Sequence, residues 1–136
     1  MRTIKFRGFN KKNGVWLYGF YLQNRGAHFV APDEFAYGKS WEDYEVDPES
    51  VGQFTGLQDA NETYIYEGDI LECWYERNVN PGVVVYRNGS FGFAPNNEDF
   101  GPFESLEEFL VGSQFGYKII GNIHDNPELI NKRTND

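Results

Sequence analysis

The first strand of the chain is predicted by a simple alternation of apolar and polar positions. In residues 3–9, the apolar side chains of Ile4 and Phe6 alternate with the basic side chains of Lys5 and Arg7. A period of two is typical of a strand with one buried face and one face in water. The simplest interpretation places Lys5 and Arg7 on the solvated face of an edge strand, where positive charge prevents aberrant pairing.

A hairpin should follow. Asn-Gly is the strongest short hairpin signal, and it occurs here as Asn13-Gly14. The next run, residues 15–22, is apolar at both odd and even positions, so we expect a strand that is central in its sheet or covered on its outer side. A short strand at 28–30 should end at Pro32, which cannot donate to a ladder.

The second half of the chain shows the same rhythm of short strands and tight turns. Asn88-Gly89 predicts another two-residue hairpin. We expect a turn at 56–62 and a loop at 78–82, the latter because it contains Pro81. The strands are expected at 51–55, 64–66, 70–75, 83–87, 90–94 and 117–121.

One short helix is predicted. Ser105 with Glu108 three positions later forms a capping box, and Leu106 and Phe109 begin an apolar helical face. Gly112 can end it.

These elements predict a mostly β fold: a small SH3-like barrel with an added N-terminal β-hairpin lobe and one short helix. We expect the N-terminal β lobe at 1–52, the SH3-like part at 53–124, and a C-terminal turn and tail at 125–136. The lobe ends in a long acidic loop, 33–50, whose Trp41 and Tyr44 indicate that it packs on something.

Charge is distributed unevenly along the chain. Residues 1–32 hold six basic residues and no acidic one, whereas residues 33–136 hold six basic residues and all 21 acidic ones. The net charge of −9 argues against a nucleic-acid binder. A basic N-terminal hairpin is expected to bind negative charge. That charge could come from an acidic surface of this chain, from an acidic surface of a second copy, or from phosphate. We expect self-association, because loop 33–50 supplies an acidic patch.

Four stretches resemble a known family. They are Ile4–Phe9; Gln53–Asp59 with Ile65–Leu71; Gly82–Val84 with Asn88-Gly89 and Phe91; and Ile120–Leu129. Together they resemble the YopX family of phage and prophage proteins, although residues 23–50 match nothing in it. The resemblance implies a nearly all-β fold with an SH3-like part, a gene in a phage or prophage genome, and no established activity. It supplies no catalytic residue to carry over.

The remaining residues do not indicate a catalytic or metal-binding site. Cys73 alternates with apolar neighbours, which favours a core thiol, and a single cysteine excludes an internal disulfide. His28 and His124 are the two histidines, and neither lies in a metal-binding spacing. The carboxylates of Glu67 and Asp69 are better explained as parts of a tight turn than as an acid–base pair. We therefore expect no cofactor, no metal and no catalytic residue, although an enzyme is not excluded.

The favoured function is a non-catalytic, phage-associated interaction module that self-associates or binds a phage or host protein. A nucleic-acid-binding regulator using the basic hairpin is the first alternative, and a hydrolase using His124 with carboxylates is the second. We expect the cytoplasm of a bacterial host, since neither a signal peptide nor a membrane-spanning run is visible. The candidate interaction surface is Lys5, Arg7, Lys11, Lys12, Trp16, Trp41 and Tyr44.

Overall fold

The computed structural model describes residues 1–34, 38–75, 78–96, 104–106 and 116–130. The chain divides into two compact units, Met1–Gly56 and Leu57–Asp136, which we call unit 1 and unit 2. Strands dominate the described residues and form two antiparallel sheets, so the predicted mostly β class is confirmed.

Unit 1 is built on a sheet whose strands run β1 (Phe6–Asn10), β2 (Val15–Asn24), β3 (Ala27–Ala31) and β4 (Gly52–Gln58) along the chain. Their order across the sheet is β3-β2-β1-β4, and β5 (Tyr64–Tyr66) follows β4 in the same order. Strand β2 lies between β3 and β1, so the two-faced apolar run of residues 15–22 is central, as predicted.

The interpretation of the first strand as an edge strand with solvated bases is wrong. Strand β1 lies between β2 and β4, and Arg7 is only 7% exposed. Ile4, which was expected to face the core, precedes the strand and is 60% exposed. The guanidinium carbon of Arg7 lies 5.0 Å from the ring centroid of Trp16, so an aromatic neighbour covers the charged group.

The acidic loop packs against unit 1 itself. We call residues 38–50 the acidic strap; it contains the short 3-10 helices Trp41–Tyr44 and Pro48–Ser50. Val46 of the strap is buried against Gly8, where any Cβ would lie 2.8 Å from the side chain of Val46. Tyr44 is buried as well. The sheet of unit 1 therefore has a strap face, covered by this segment, and an opposite outer face.

Asn10 holds the acidic strap to the end of β1. Its side chain is buried, and its Nδ2 donates hydrogen bonds to the backbone oxygens of Glu42, Asp43 and Glu45 at 3.3, 3.2 and 2.7 Å. Its Oδ1 accepts from the backbone nitrogen of Asn13 at 2.7 Å. One side chain thus satisfies both the hairpin turn and the segment that crosses it.

Unit 2 contains the second sheet, with strands β6 (Asp69–Tyr75), β7 (Asn78–Arg87), β8 (Ser90–Pro95), β9 (Glu104–Ser105) and β10 (Tyr117–Asn122). Their order is β10-β6-β7-β8-β9. Among the described residues of unit 2, the buried apolar core cluster contains Ile65, Leu71, Val84, Phe93 and Leu106.

The hairpin predicted at Asn88-Gly89 is confirmed. Both residues have positive φ values, 52° and 85°, as a type I′ turn between β7 and β8 requires. The predicted loop at 78–82 is wrong, because these residues belong to β7 and pair with β6. Pro81 is tolerated because its partner on the other side, Asn96, lies just past the end of β8. The nitrogen of Asn96 still donates to the oxygen of Pro81 at 2.9 Å.

Two sequence predictions reach beyond the described residues. The helix expected from Ser105 onward falls on residues 107–112, outside the described part, although Leu106 itself is helical and buried. Closure of the unit 2 sheet into an SH3-like barrel stays a prediction, since in the described strands β9 and β10 are the two ends of an open order. No helix in the described part of the chain is long and apolar enough to cross a membrane.

Candidate interaction surface

The outer face of unit 1 carries a strip of exposed apolar side chains on β2. Tyr18, Phe20 and Leu22 are 46%, 41% and 36% exposed. They alternate with less exposed residues, so all three point to the outer face. We call these three residues the outer strip. A contiguous exposed apolar row of this kind marks an interaction site more often than single exposed residues do.

Lys5, which precedes β1, and Arg7 of β1 lie at one end of the outer strip. Arg7 is the register partner of Tyr18, and the ammonium of Lys5 lies 6.0 Å from the ring centroid of Tyr18. Beyond them, Trp16 packs edge-on against Phe9 with ring centroids 5.5 Å apart. Of the predicted surface residues, Lys5, Arg7 and Trp16 therefore lie together, but Arg7 is buried and is not part of the exposed surface.

Lys11 and Lys12 are in a different place, on the hairpin turn beside the acidic strap. The Nζ of Lys12 is 3.0 Å from Oδ1 of Asp43, and the Nζ of Lys11 is 3.5 Å from Oδ2 of Asp47. The basic hairpin and the acidic segment that we expected to meet in two different copies thus meet within one chain.

Asp43 is held in this contact by hydrogen bonds from three residues. The backbone N–H of Ser40 donates to it at 3.0 Å, and the side chains of Lys12 and Asn13 donate to its other oxygen at 3.0 and 3.2 Å. These donors hold the pKa of Asp43 well below its usual range. Hydrogen bonding to the ionised form explains this shift, so the shift does not indicate a catalytic role for Asp43.

An open pocket of about 380 Å³ lies between the hairpin turn and the acidic strap. Its charged lining mixes two lysines, Lys11 and Lys12, with three acidic residues, Glu42, Glu45 and Asp47. The closest of these opposite charges already pair with one another. The pocket is therefore part of the seam that joins the strap to the hairpin.

Trp41 and Tyr44 have different environments. Trp41 is 49% exposed and packs edge-on against Phe29 at 5.5 Å between ring centroids, beside β3. Phe29 is the register partner of Leu22, so Trp41 extends the apolar surface from the outer strip past β3. Tyr44, in contrast, is buried and belongs to the interior of unit 1.

Each of the two histidines contacts residues that are close to it in the sequence. Nδ1 of His28 shares a hydrogen bond with the hydroxyl of Tyr21, and the two rings stack at 5.8 Å. His124 lies in a turn organised by Asn122, whose Oδ1 accepts from the backbone nitrogens of His124 and Asp125. His28 belongs to unit 1 and His124 to unit 2.

The buried carboxylates also build turns. Oδ2 of Asp69 accepts from the backbone nitrogen of Tyr66 at 2.7 Å, so Asp69 closes its own turn, as the sequence indicated. Asp59 accepts from the nitrogens of Asn61, Thr63 and Ile119. The side chain of Cys73 lies outside the described part of the chain. Among the described residues, no group of three His, Cys, Asp or Glu side chains could hold a metal ion.

Sequence reasoning missed two features of this surface. The outer strip was signalled by the two-faced apolar run of residues 15–22, but Tyr18, Phe20 and Leu22 were not among the candidates. Asn10 gave no signal at all, because its role depends on strap residues more than 30 positions away.

Comparison with known proteins agrees with the resemblance. The crystal structure of protein EF1440 from Enterococcus faecalis is similar in fold, with a TM-score of 0.59 and 26% sequence identity over 96% of this chain and 99% of that one. A comparison with curated proteins finds no match. The family model described as YopX protein matches residues 5–131. The chain therefore belongs to the YopX family.

Proposed function

We propose that this protein is a non-catalytic interaction module that self-associates. The observation that carries the proposal is the outer strip, whose three large apolar side chains remain about two-fifths exposed on a central strand. Complete burial of a large apolar side chain contributes roughly 1.5–3 kcal/mol, so leaving two-fifths of it in water forgoes on the order of 1 kcal/mol per residue. A contiguous row of such side chains is typical of a surface that is covered in use.

Hydrogen bonds that engage three carboxylates in the fold support a non-catalytic role. Asp43, Asp59 and Asp69 each accept a hydrogen bond from a backbone nitrogen two or three positions away, so each carboxylate stabilises its own turn. Catalysis needs a nucleophile or an acid–base pair converging on a space for substrate. A phage or prophage setting and an SH3-like barrel in unit 2 are part of the proposal, and the family resemblance supports both. A cytoplasmic location completes it.

The pairing of Lys11 and Lys12 with the acidic strap changes the expected mechanism of self-association. These charges are already compensated inside one copy, so they contribute little to attraction between copies. Apolar burial is the remaining driving force.

Light scattering coupled to size-exclusion chromatography tests the proposal over a range of protein concentrations. We expect the weight-average mass to rise from that of one chain, 15.7 kDa, toward twice that value. A mass that stays at one chain at every concentration and salt level would exclude self-association.

A further inference from the structure

We infer that Asn88 is a site of spontaneous covalent modification, at which the side-chain amide is lost and aspartate or isoaspartate is formed, whereas Asn13 is protected by the fold. The chain contains two Asn-Gly pairs. Asn13-Gly14 lies between β1 and β2, and Asn88-Gly89 lies between β7 and β8. The inference concerns the chemistry of these two turns and does not depend on self-association.

The modification needs only the turn and water. The backbone nitrogen of Gly89 gives up its proton to a base in the solvent and attacks Cγ of Asn88, so that an N–Cγ bond forms. The Cγ–Nδ2 bond then breaks, and Nδ2 takes a proton from the solvent and leaves as ammonia. Water opens the cyclic succinimide that remains. Opening at Cγ gives aspartate, and opening at the backbone carbonyl carbon gives isoaspartate, in which the main chain runs through the side-chain carbons.

Steric access to this reaction is equal in the two turns. A side chain on the residue that follows asparagine would crowd the approach of its nitrogen to Cγ, and glycine has none. A Cβ built at Gly14 or at Gly89 would meet no atom within 4 Å, so the surroundings are open as well. Asn13 and Asn88 are both exposed. Hydrogen bonding therefore decides which of the two asparagines reacts.

Hydrogen bonds hold both reacting groups of the first turn. The Nδ2 of Asn13 donates to Oδ1 of Asp43 at 3.2 Å, and its backbone nitrogen donates to Oδ1 of Asn10 at 2.7 Å. The attacking nitrogen, that of Gly14, donates to the backbone oxygen of Asn10 at 2.8 Å. Asn10 is itself buried and bonded to the acidic strap. Cyclisation of Asn13 would have to break several of these bonds together, so we expect it to be slow.

The second turn lacks these restraints from the described part of the chain. Among the described residues, no hydrogen bond engages the side-chain amide of Asn88 or the backbone nitrogen of Gly89. The two residues lie at the end of the β7–β8 hairpin, beyond the register pair of Arg87 and Ser90. Local opening at such a tip costs little free energy, so the nitrogen of Gly89 can reach Cγ of Asn88 without unfolding the sheet.

The products should weaken the hairpin that carries them. A type I′ turn has two central residues with positive φ, and Asn88 and Gly89 meet this requirement. Isoaspartate adds one carbon to the main chain of the turn, and the length of the turn fixes the register of the two strands. The pairing of Arg87 with Ser90 should therefore be disturbed. Both products also add one negative charge to a chain whose net charge is already −9.

Peptide mapping of the aged full chain by mass spectrometry tests the inference. The folded protein is incubated in mildly alkaline buffer, and the mass increase from amide to acid is followed at both asparagines. A protease specific for glutamate, used at mildly acidic pH, releases residues 1–34 and 77–98, and fragmentation of each peptide locates the change. A sample taken at time zero measures conversion during digestion. Isoaspartate is identified by methylation of the peptide with an isoaspartyl methyltransferase and S-adenosylmethionine.

We expect Asn88 to convert about ten-fold faster than Asn13 in the folded chain, a ratio that corresponds to about 1.4 kcal/mol. One or two net hydrogen bonds contribute on this scale. In the chain unfolded by urea the two asparagines should convert at similar rates, because both have glycine as the next residue. Asn88→Gly keeps a Gly-Gly pair that suits a type I′ turn, and it should remove most of the isoaspartate from peptide 77–98.

A second variant tests the protection of the first turn. Asp43→Ala removes the acceptor of the Nδ2 of Asn13, so conversion of Asn13 should become several-fold faster while conversion of Asn88 stays the same. Circular dichroism checks the fold of each variant.

Two results would overturn the inference. Equal conversion of the two asparagines in the folded chain, or faster conversion of Asn13, would show that Asn88 is not the exposed reactive site. Unchanged conversion of Asn13 in a folded Asp43→Ala chain would exclude protection through Asp43. Neither result bears on the oligomeric state, so the proposed function is tested separately.

Discussion

The contact between Gly8 and Val46 offers a quantitative test of how the acidic strap is held on β1. A Cβ atom at position 8 would lie 2.8, 2.8 and 2.9 Å from three side-chain carbons of Val46. Carbon atoms at optimal separation are about 3.5–4.0 Å apart, so Gly8→Ala forces a shift of about 1 Å. Overpacking of this kind typically costs about 1–3 kcal/mol.

One further term completes the estimate for Gly8→Ala. Alanine restricts the unfolded chain more than glycine, which returns about 0.4–1 kcal/mol. We therefore expect a net loss of about 1–2 kcal/mol in the free energy of unfolding. Val46→Ala alone should cost about 1–2 kcal/mol, because it removes two buried methyl groups.

A double-mutant cycle separates the contact from these individual costs. With Val46→Ala present, the methyl groups that crowd position 8 are gone, so Gly8→Ala should be less harmful by at least about 0.5 kcal/mol. The assay is urea unfolding followed by tryptophan fluorescence, in which Trp16 and Trp41 report from unit 1 and Trp74 reports from unit 2. Val84→Ala, at a buried valine of unit 2, is the matched control and should combine additively with Gly8→Ala. Additivity of Gly8→Ala with Val46→Ala, within about 0.3 kcal/mol, would refute the packing of the strap on β1.

Further predictions concern side chains that hold turns and close contacts. Asn10→Ala should lower the free energy of unfolding by about 2–3 kcal/mol, because it removes the donor to three strap carbonyls, and a loss below about 0.5 kcal/mol in urea unfolding would contradict this role. Gly82→Ala should cost about 2–3 kcal/mol, since its Cβ would collide with the ring of Phe93, and a lowered urea midpoint with an unchanged fold measures this cost. Asp69→Ala should cost about 1–3 kcal/mol by leaving a buried N–H without its acceptor; an unchanged midpoint would show that another group accepts that bond. The folded pKa of Asp43 is depressed, so its contribution to stability is present above the unfolded pKa of about 3.9 and disappears as pH falls below that value. Between about pH 5 and pH 2 the wild type should therefore lose more stability than Asp43→Asn, whereas identical pH profiles from urea unfolding would refute the assigned hydrogen bonds.

Local signals in the sequence predicted the elements that depend on near neighbours. Asn88-Gly89 specifies its hairpin because both residues tolerate the positive φ values that a type I′ turn requires. Asp69 was identified as the residue that closes its own turn for the same kind of reason, since its partner Tyr66 is three positions away. Such interactions involve only a few consecutive residues, so the local sequence is enough to predict them.

Features that depend on distant residues could not be predicted in the same way. Lys5 and Arg7 look like the solvated side of an edge strand, yet β4 pairs with β1 at Arg7 from 45 residues further along, at Gly52. The strap is another example: Trp41 and Tyr44 indicated that it packs on something, but nothing local indicated that Val46 and Asn10 fix it to β1. Pro81 wrongly indicated a loop. It lies at the end of the pairing between β7 and β8, where the missing N–H of proline costs no hydrogen bond.

The most direct test of the account measures the weight-average mass of the protein by sedimentation or light scattering as salt is raised from about 0.05 M to about 0.5 M. An apolar contact through the outer strip predicts that the mass of the wild type increases with salt. Phe20→Ser should stay near the mass of one chain, and Tyr86→Ser should behave like the wild type. A wild-type mass that falls with salt, or a Phe20→Ser chain that dimerises as well as the wild type, would contradict the central claim.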